Sequence, residues 1–299
     1  MSKLSTVLIG GGTGLVGTHL ADAFRNCASK VIVISRMPGD NRLSWNDIQQ
    51  KGFPHETDVV VNVAGQNVLD PMRRWTPGFR QNVVSSRVQT TRILAEAIDK
   101  SAKPPKVFIT ISGVGFYPPS QSIEYNEDSK PKSADFFSKL CIDWENAGNL
   151  SPSKSTRRVI IRSGVVLARD GGIIQRLYLP FFLGFGGPIG SGNQYFPWIH
   201  IDDLVNLFLF SVNNENVTGI LNGVAPQIVT NKQFSKALGS AMFRPSFMPL
   251  PEKVVELIFG KERASMMTQG QKVSPKRVEK LGFSYQFPDI ISACKNIVK

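Results

Sequence analysis

Gly10-Gly-Gly-Thr-Gly-Leu-Val-Gly17 follows directly on the apolar run 6–9 and leads into Val16, Leu20, Ala23 and Phe24 at helical spacing. Gly11, Gly14 and Gly17 stand three residues apart, and a strand that enters a helix through such a turn has a use for each. The tight turn needs permissive backbone angles, a pyrophosphate must reach the main chain, and the last glycine lets helix and sheet pack closely. The helix start then turns unpaired N–H groups and the positive end of its dipole towards an anion. A glycine triplet alone says little, but the strand–turn–helix context gives it weight. Gly11, Thr13, Gly14, Leu15 and Val16 are therefore expected to line a dinucleotide site.

A site that selects NAD carries an acidic residue about twenty positions on, at the end of the second strand. Here the run 31–34 ends in Ser35-Arg36. A carboxylate there repels a 2′-phosphate, whereas a hydroxyl and a guanidinium supply donors that fit its oxygens. NADP(H) is the expected cofactor, with Ser35 and Arg36 at the phosphate. A solvent-facing Arg36 is the other reading, and Arg42 is either a helper or a surface residue.

The runs 59–63, 107–111 and 159–161 repeat the apolar, largely β-branched texture that suits strands buried on both faces. Between them Phe79, Val83, Leu94 and Ile98 punctuate a long helix behind a Thr76-Pro77 start signal. This β-α-β alternation predicts an α/β fold: a Rossmann-type doubly wound parallel sheet with a smaller C-terminal α/β substrate lobe. Residues 1–167 are expected to form the NADP-binding domain, with 195–225 contributing, and 168–299 the substrate-side lobe. From about residue 230 that lobe reads as short helices broken by Pro245, Pro249, Pro251, Pro275 and Pro288. The glycine- and proline-bearing stretch 184–192 reads as a connection over a binding cleft.

The 299 residues are 41% hydrophobic and 19% charged, which excludes disordered and fibrous classes. No window approaches the roughly 18 apolar residues of a membrane span. The run 6–9 begins so close to Met1 that a cleavable leader has no room, so a soluble, cytoplasmic protein is expected. Cys27, Cys141 and Cys294 are widely spaced and belong to no CxxC or Cys/His cluster, so neither disulfides nor a metal site are expected. A net charge of +12 favours anionic ligands. Because the basic residues are spread out, with only short pairs such as Arg73-Arg74 and Arg157-Arg158, neither a nucleic acid nor a membrane is an expected partner.

Asn62-Val-Ala-Gly65 and Ile111-Ser112-Gly-Val-Gly-Phe-Tyr117 end two of the strands, and with the glycine turn they resemble the extended short-chain dehydrogenase/reductase superfamily. Further stretches resemble its atypical epimerase-like subfamily with a C-terminal domain of unknown function. They are Arg73-Arg74-Trp75-Thr76, Ser86-Arg87, Arg162-Ser-Gly-Val-Val-Leu167, Gly186-Gly-Pro-Ile-Gly190, Phe196-Pro-Trp-Ile-His-Ile-Asp-Asp203 and Gly270-Gln-Lys-Val-Ser-Pro275. The resemblance spans the whole chain. It implies that Val63, Ala64 and Gly65 pass close to the adenosine and ribose, that Asn82 and Arg87 line the cofactor, and that Val166 ends a strand beside the nicotinamide. Arg87 also reads as a helix-surface cation. Pairing into homodimers is a further expectation that the superfamily carries.

The departure is at the helix where the superfamily expects Tyr-x-x-x-Lys with a glutamate four residues beyond. Phe137-Ser-Lys-Leu-Cys141 precedes Glu145, so phenylalanine replaces the acid/base and cysteine the lysine. That removes a contribution of about a hundred- to ten-thousand-fold in rate. Lys139 lies on another helical face, and Phe136, Phe137, Leu140, Cys141 and Trp144 read as one packing face. Two catalytic candidates remain. Ser112 keeps a hydroxyl at a strand end, and Tyr117 is the nearest titratable group, with no cation evident locally to lower its pKa. His200, whose unperturbed pKa of about 6.5 suits an acid/base, is read either in that role or as satisfying backbone groups, and Asp202 and Asp203 as the cap of the following helix.

Three functions are compatible with these residues. The first is an NADP(H)-dependent oxidoreductase acting on an unidentified small organic substrate. The second is a nucleotide-sugar epimerase or dehydratase. The third is a non-catalytic NADPH-binding sensor or scaffold, to which the Phe137 and Cys141 replacements point.

Overall fold

Val7, Leu8 and Ile9 are fully buried, alternating side chains included, and such a strand has to lie between two neighbours with helices on both faces. This is β1 (Leu4–Gly10) of a computed structural model that describes residues 4–36, 39, 42–54, 56–130, 132–133 and 135–299. The chain continues through α1 (Leu15–Arg25), β2 (Ala28–Ile34), β3 (Arg42–Leu43), α2 (Trp45–Lys51), β4 (Thr57–Asn62), α3 (Pro77–Lys100) and β5 (Val107–Gly113). Then follow β6 (Glu124–Tyr125), α4 (Phe136–Ala147), β7 (Arg157–Ser163), β8 (Val165–Ala168), α5 (Gly172–Phe182), β9 (Trp198–His200), α6 (Ile201–Asn213) and β10 (Gly219–Gly223). The last part is α7 (Asn231–Ala241), α8 (Glu252–Phe259), α9 (Lys261–Thr268), β11 (Lys272–Val273), α10 (Lys276–Lys280) and α11 (Ile290–Ile297).

Among the described residues seven strands form one parallel sheet in the order β10-β7-β5-β4-β1-β2-β3. The two-residue side-chain period sorts the core. Val7, Ile9, Val59, Val61, Ile109 and Ile161 face α1 and α6 through Leu20, Phe24, Leu204 and Phe208. Leu8, Val60 and Phe108 face α2 and α3 through Ile48, Leu94 and Ile98. The Rossmann-type expectation therefore holds. Strand order reverses at β1, whose neighbours β2 and β4 lie on opposite sides, and in open α/β sheets ligands bind in the crevice outside the strand ends at such a point.

A second cluster packs Trp198, Phe196, Phe234, Leu238, Ile290, Cys294 and Ile297 around the β8–β9 pair and helices α7 and α11. β6 and β11 form another two-stranded sheet. Among the described residues no helix is long and apolar enough to cross a membrane.

Three local expectations need correction. The strand expected to include Val63 ends at Asn62, and Val63 N instead donates to Gly10 O at 2.8 Å. Val166 does not end a strand of the main sheet. It lies inside β8, paired with Ile199 of β9, because Gly164 lets Pro197 approach to a distance that a Cβ would occupy. The α6 cap is His200, whose Nδ1 accepts from Asp202 N at 3.1 Å; Asp202 and Asp203 already lie in the first turn. Fully buried Asp203 accepts from Gln286 N at 2.6 Å and Phe287 N at 2.9 Å, tying the C-terminal segment to the core. The α3 start matches expectation, with Thr76 Oγ1 accepting from Phe79 N and Pro77 opening the helix.

Candidate functional site

The glycine turn joins three strand ends. Gly11 takes φ +78°, a left-handed angle that favours glycine, and its N donates to Ile34 O at 3.1 Å. A Cβ on Gly11 would lie 2.6 Å from the Ala64 backbone, and one on Gly17 only 2.2 Å from Gly11 O. Both glycines are therefore demanded by the protein's own packing. Gly14 differs: φ is −87°, and a Cβ there would meet nothing nearer than Gly11 O at 3.5 Å. Nothing inside the protein requires a glycine at 14. Gly14 and Thr13 are exposed, and Gly14 caps α1 without a side-chain hydrogen bond. The first N–H groups of α1, those of Leu15 and Val16 among them, have no intrahelical acceptor and present an anion site. A ligand phosphate gives the open space at Gly14 a purpose.

The loop after β4 forms the opposite wall. Asn62 Oδ1 accepts from Ala64 N at 3.1 Å while Asn62 Nδ2 donates to Thr91 Oγ1 at 2.8 Å. Arg87 is not a helix-surface cation. Its Nη1 donates to Gln66 O at 2.9 Å and to Val83 O at 3.1 Å, its guanidinium lies 5.2 Å from the Trp144 ring, and burial lowers its pKa to about 10. It sits directly against Gly65, so it shapes the loop. Gly171 and Gly172, after β8, pack on Leu15, and Gly172 also borders Val166 O. Ser35 is buried and Arg36 exposed at the end of β2, with Arg42 exposed on the neighbouring strand. Asn82 is exposed on α3, and its carbonyl accepts from Ser85 Oγ at 3.4 Å.

The helix where an acid/base is expected is packed solid. Phe137 is buried among Val68, Phe79, Val83 and Leu140 and lies 6.2 Å from the Trp75 ring. Cys141 Sγ sits under the chain at Gly113 and Gly115. Burial first, then the Glu145 carboxylate, pushes its thiol up to about 11, against smaller opposing effects of the Gly113 backbone, Ser112 and Arg87. The thiol therefore stays neutral. Ser112 Oγ is buried beside it and makes no hydrogen bond of good geometry.

Tyr117 has a cation after all, supplied from 45 residues away. Arg162 Nη1 donates to the phenol oxygen at 2.9 Å, while the phenol proton faces Asn126 O and Asn222 Oδ1, each at 2.9 Å. Arg162 also forms a two-pronged ion pair with Glu145 at 2.8 Å on both arms. Burial outweighs Arg162 and pushes the Tyr117 pKa up. The phenol is fully buried and its hydrogen-bonding capacity is used inside the protein.

Sequence reasoning missed one feature beside the site. The loop leading to α3 is clasped from the C-terminal region: buried Arg263 donates to Val68 O at 3.2 Å and Asp70 O at 3.0 Å, and Trp75 Nε1 donates to Glu262. Arg80 also pairs with Glu262, at 3.4 Å. These partners lie about 190 positions apart, so no local pattern could announce them.

Comparison with known proteins adds the following. The family described as "NAD dependent epimerase/dehydratase family" matches residues 7–222, and "Domain of unknown function (DUF1731)" matches residues 250–297. The chain is 49% identical to the epimerase family protein SDR39U1 of Bos taurus over 293 residues, covering 98% of this chain and 99% of that protein. It is similar to the crystal structure of human epimerase family protein SDR39U1 (isoform 2) with NADPH, at 46% identity and a TM-score of 0.95, over 98% of each chain. It is also similar to a nucleoside-diphosphate sugar epimerase from Corynebacterium glutamicum. There the identity is 28% and the TM-score 0.77, over 98% of this chain and 57% of that one.

Proposed function

We propose, from the premise that this chain belongs to the NAD dependent epimerase/dehydratase family, that it is an NADP(H)-dependent oxidoreductase acting on a small organic substrate. One observation carries the cofactor half: Gly14 leaves open space at a helix N-terminus where the protein's own packing asks for none. The NADPH in the human SDR39U1 structure supports the same choice of cofactor.

In this reading Thr13, Leu15 and Val16 hold the pyrophosphate with backbone N–H groups, while Gly11 and Gly14, whose own N–H groups are bonded to Ile34 O and Gly11 O, give it room. Arg36, with Ser35, meets the 2′-phosphate. Val63, Ala64 and Gly65 leave room for the adenosine, Arg87 fixes that loop from behind, and Val166 and Asn82 complete the lining. Bound NADPH supplies a hydride. Ser112, turned about its Cα–Cβ bond away from Cys141, offers the substrate oxygen a hydrogen bond from the end of β5. Phe137 and Cys141 exclude water from that end and supply no proton, and Tyr117 stays in the core, so the proton comes from the substrate or solvent. Residues 1–167 with 195–225 make the cofactor domain of this proposal and 168–299 its substrate side.

The packed α4 face favours a second reading, an NADPH-binding sensor without turnover. A nucleotide-sugar epimerase fits less well, since oxidising a sugar C–OH needs a base and α4 offers none. Incubation of the NADPH-loaded protein with a panel of carbonyl compounds, then with nucleotide sugars, separates the three. Consumption of NADPH supports the reductase, sugar isomerisation without net consumption the epimerase, and neither the sensor.

A further inference from the structure

Many of the exposed large apolar side chains fall in two segments. α5 and the residues after it carry Tyr178, Leu179, Phe182 and Phe185 on the surface, and the segment between α7 and α8 carries Phe243 and Phe247, 89% and 75% exposed. These two segments form one continuous face. Arg244 Nε donates to Phe182 O at 2.7 Å, with its guanidinium 5.2 Å from the Phe182 ring, and Met248 N donates to Gly186 O at 3.2 Å. Contiguous apolar faces of this kind mark interaction sites on soluble proteins.

The charge around the face selects the partner. Residues 171–191 and 232–251, which build it, contain no aspartate or glutamate, and their charged residues are Arg176, Lys232, Lys236 and Arg244. All four are exposed. Carboxylates stand at both edges: Asp170 directly precedes the first segment, and Glu252, directly after the second, lies against Gly190, with Glu256 further along α8. Aromatic rings and aliphatic side chains beside an excess of cations match the boundary between acyl chains and anionic headgroups. A second copy of the chain fits less well, because two-fold pairing would set this mostly cationic face against itself.

We propose that this face docks the protein peripherally on an anionic lipid bilayer, with Phe243 and Phe247 in the headgroup layer and the four cations on lipid phosphates. Among the described residues no helix is long and apolar enough to span a membrane, and α5 itself has 11 residues. The expectation that no membrane is a partner rested on the absence of a span and on basic residues spread along the sequence, and neither detects a surface assembled from two distant segments. The inference stands independently of the hydride-transfer reading.

Flotation of the full-length protein with vesicles of phosphatidylcholine, with and without phosphatidylglycerol, tests it. The protein should float with the anionic vesicles and stay behind with the neutral ones. Phe243→Ser/Phe247→Ser and, separately, Lys232→Glu/Lys236→Glu should each weaken partitioning by about tenfold or more. These side chains are exposed, so circular dichroism melts should match the wild type. Absence of flotation with anionic vesicles, or flotation that neither double variant alters, overturns the proposal. So does a wild-type dimer in sedimentation velocity that Phe243→Ser/Phe247→Ser dissolves, which would make a second copy the occupant.

Discussion

The turn at 10–17 and helix α4 both lie where the family concentrates its chemistry, yet they treat space in opposite ways. At the turn two glycines are forced by contacts with Ala64 and Gly11, while Gly14 leaves volume that the protein does not fill. On α4 every inward position is filled: Phe137 and Leu140 pack into an apolar cluster, Cys141 lies under Gly113, and Glu145 is locked to Arg162. Unfilled space at a helix N-terminus indicates a ligand, and filled space indicates a scaffold. The molecule offers open space for a dinucleotide phosphate, while the helix at which the resemblance implies an acid/base is filled core.

The largest effect expected from this contrast is on stability. Glu145→Ala strands the Arg162 guanidinium in the interior and should destabilise the fold by about 3–5 kcal/mol, as urea unfolding would measure. The fraction that remains folded should bind NADPH normally. An α4 that carried the cofactor would give the reverse, a modest stability change and lost binding.

Next comes Gly14→Val, which should weaken NADPH binding by about a hundredfold or more while the melting curve barely moves, since a Cβ at this exposed position meets only Gly11 O at 3.5 Å. Parallel cofactor titration and circular dichroism decide this. Retained affinity in a folded variant would reduce the turn to a structural device.

A pH effect should appear where α6 meets α11. His200 is buried, its Nδ1 accepts from Asp202 N, and its Nε2 lies 3.1 Å from Asn296 Oδ1, so the neutral ring is the form that fits. Burial lowers its pKa, against the pull of Asp202 and Asp203. Because the folded value lies below the unfolded one, His200 contributes stability above about pH 6.5 that is lost as the pH falls through the folded value. Thermal midpoints between pH 7.5 and 5, set at about one-unit steps, should fall less steeply in His200→Gln than in the wild type. Parallel curves would remove His200 from the account.

The smallest effect belongs to Cys141→Ala, which should leave NADPH affinity, and any turnover that is found, within about threefold. Ser112→Ala, in contrast, should cut such turnover by roughly a hundredfold with cofactor affinity kept. A collapse in Cys141→Ala with Ser112→Ala unaffected would make the thiol the chemical group.

The sheet was legible because its strands are buried on both faces and so read as apolar runs, and the Thr76-Pro77 start was legible because capping is local. The turn was legible for the same reason: strand, glycines and helix are contiguous. What the sequence hid was long-range. Arg162 reaches Tyr117 from another strand, Arg263 clasps the loop after β4 from α9, and Asp203 holds residues of the C-terminal segment rather than its own helix. The short strands β3, β6 and β11 have two residues each, too few for a periodic signal. Val166 was misplaced because Gly164 ends one strand and lets the chain begin another in a different sheet.

Titration of the wild-type protein with NADPH and with NADH, followed by protein fluorescence, tests the central claim most directly. NADPH should bind at least about tenfold more tightly, and Arg36→Ala should lower NADPH affinity alone, by about 1.5–3 kcal/mol for a charged hydrogen bond. Equal affinities for the two cofactors, or an Arg36→Ala loss shared by both, would contradict the account.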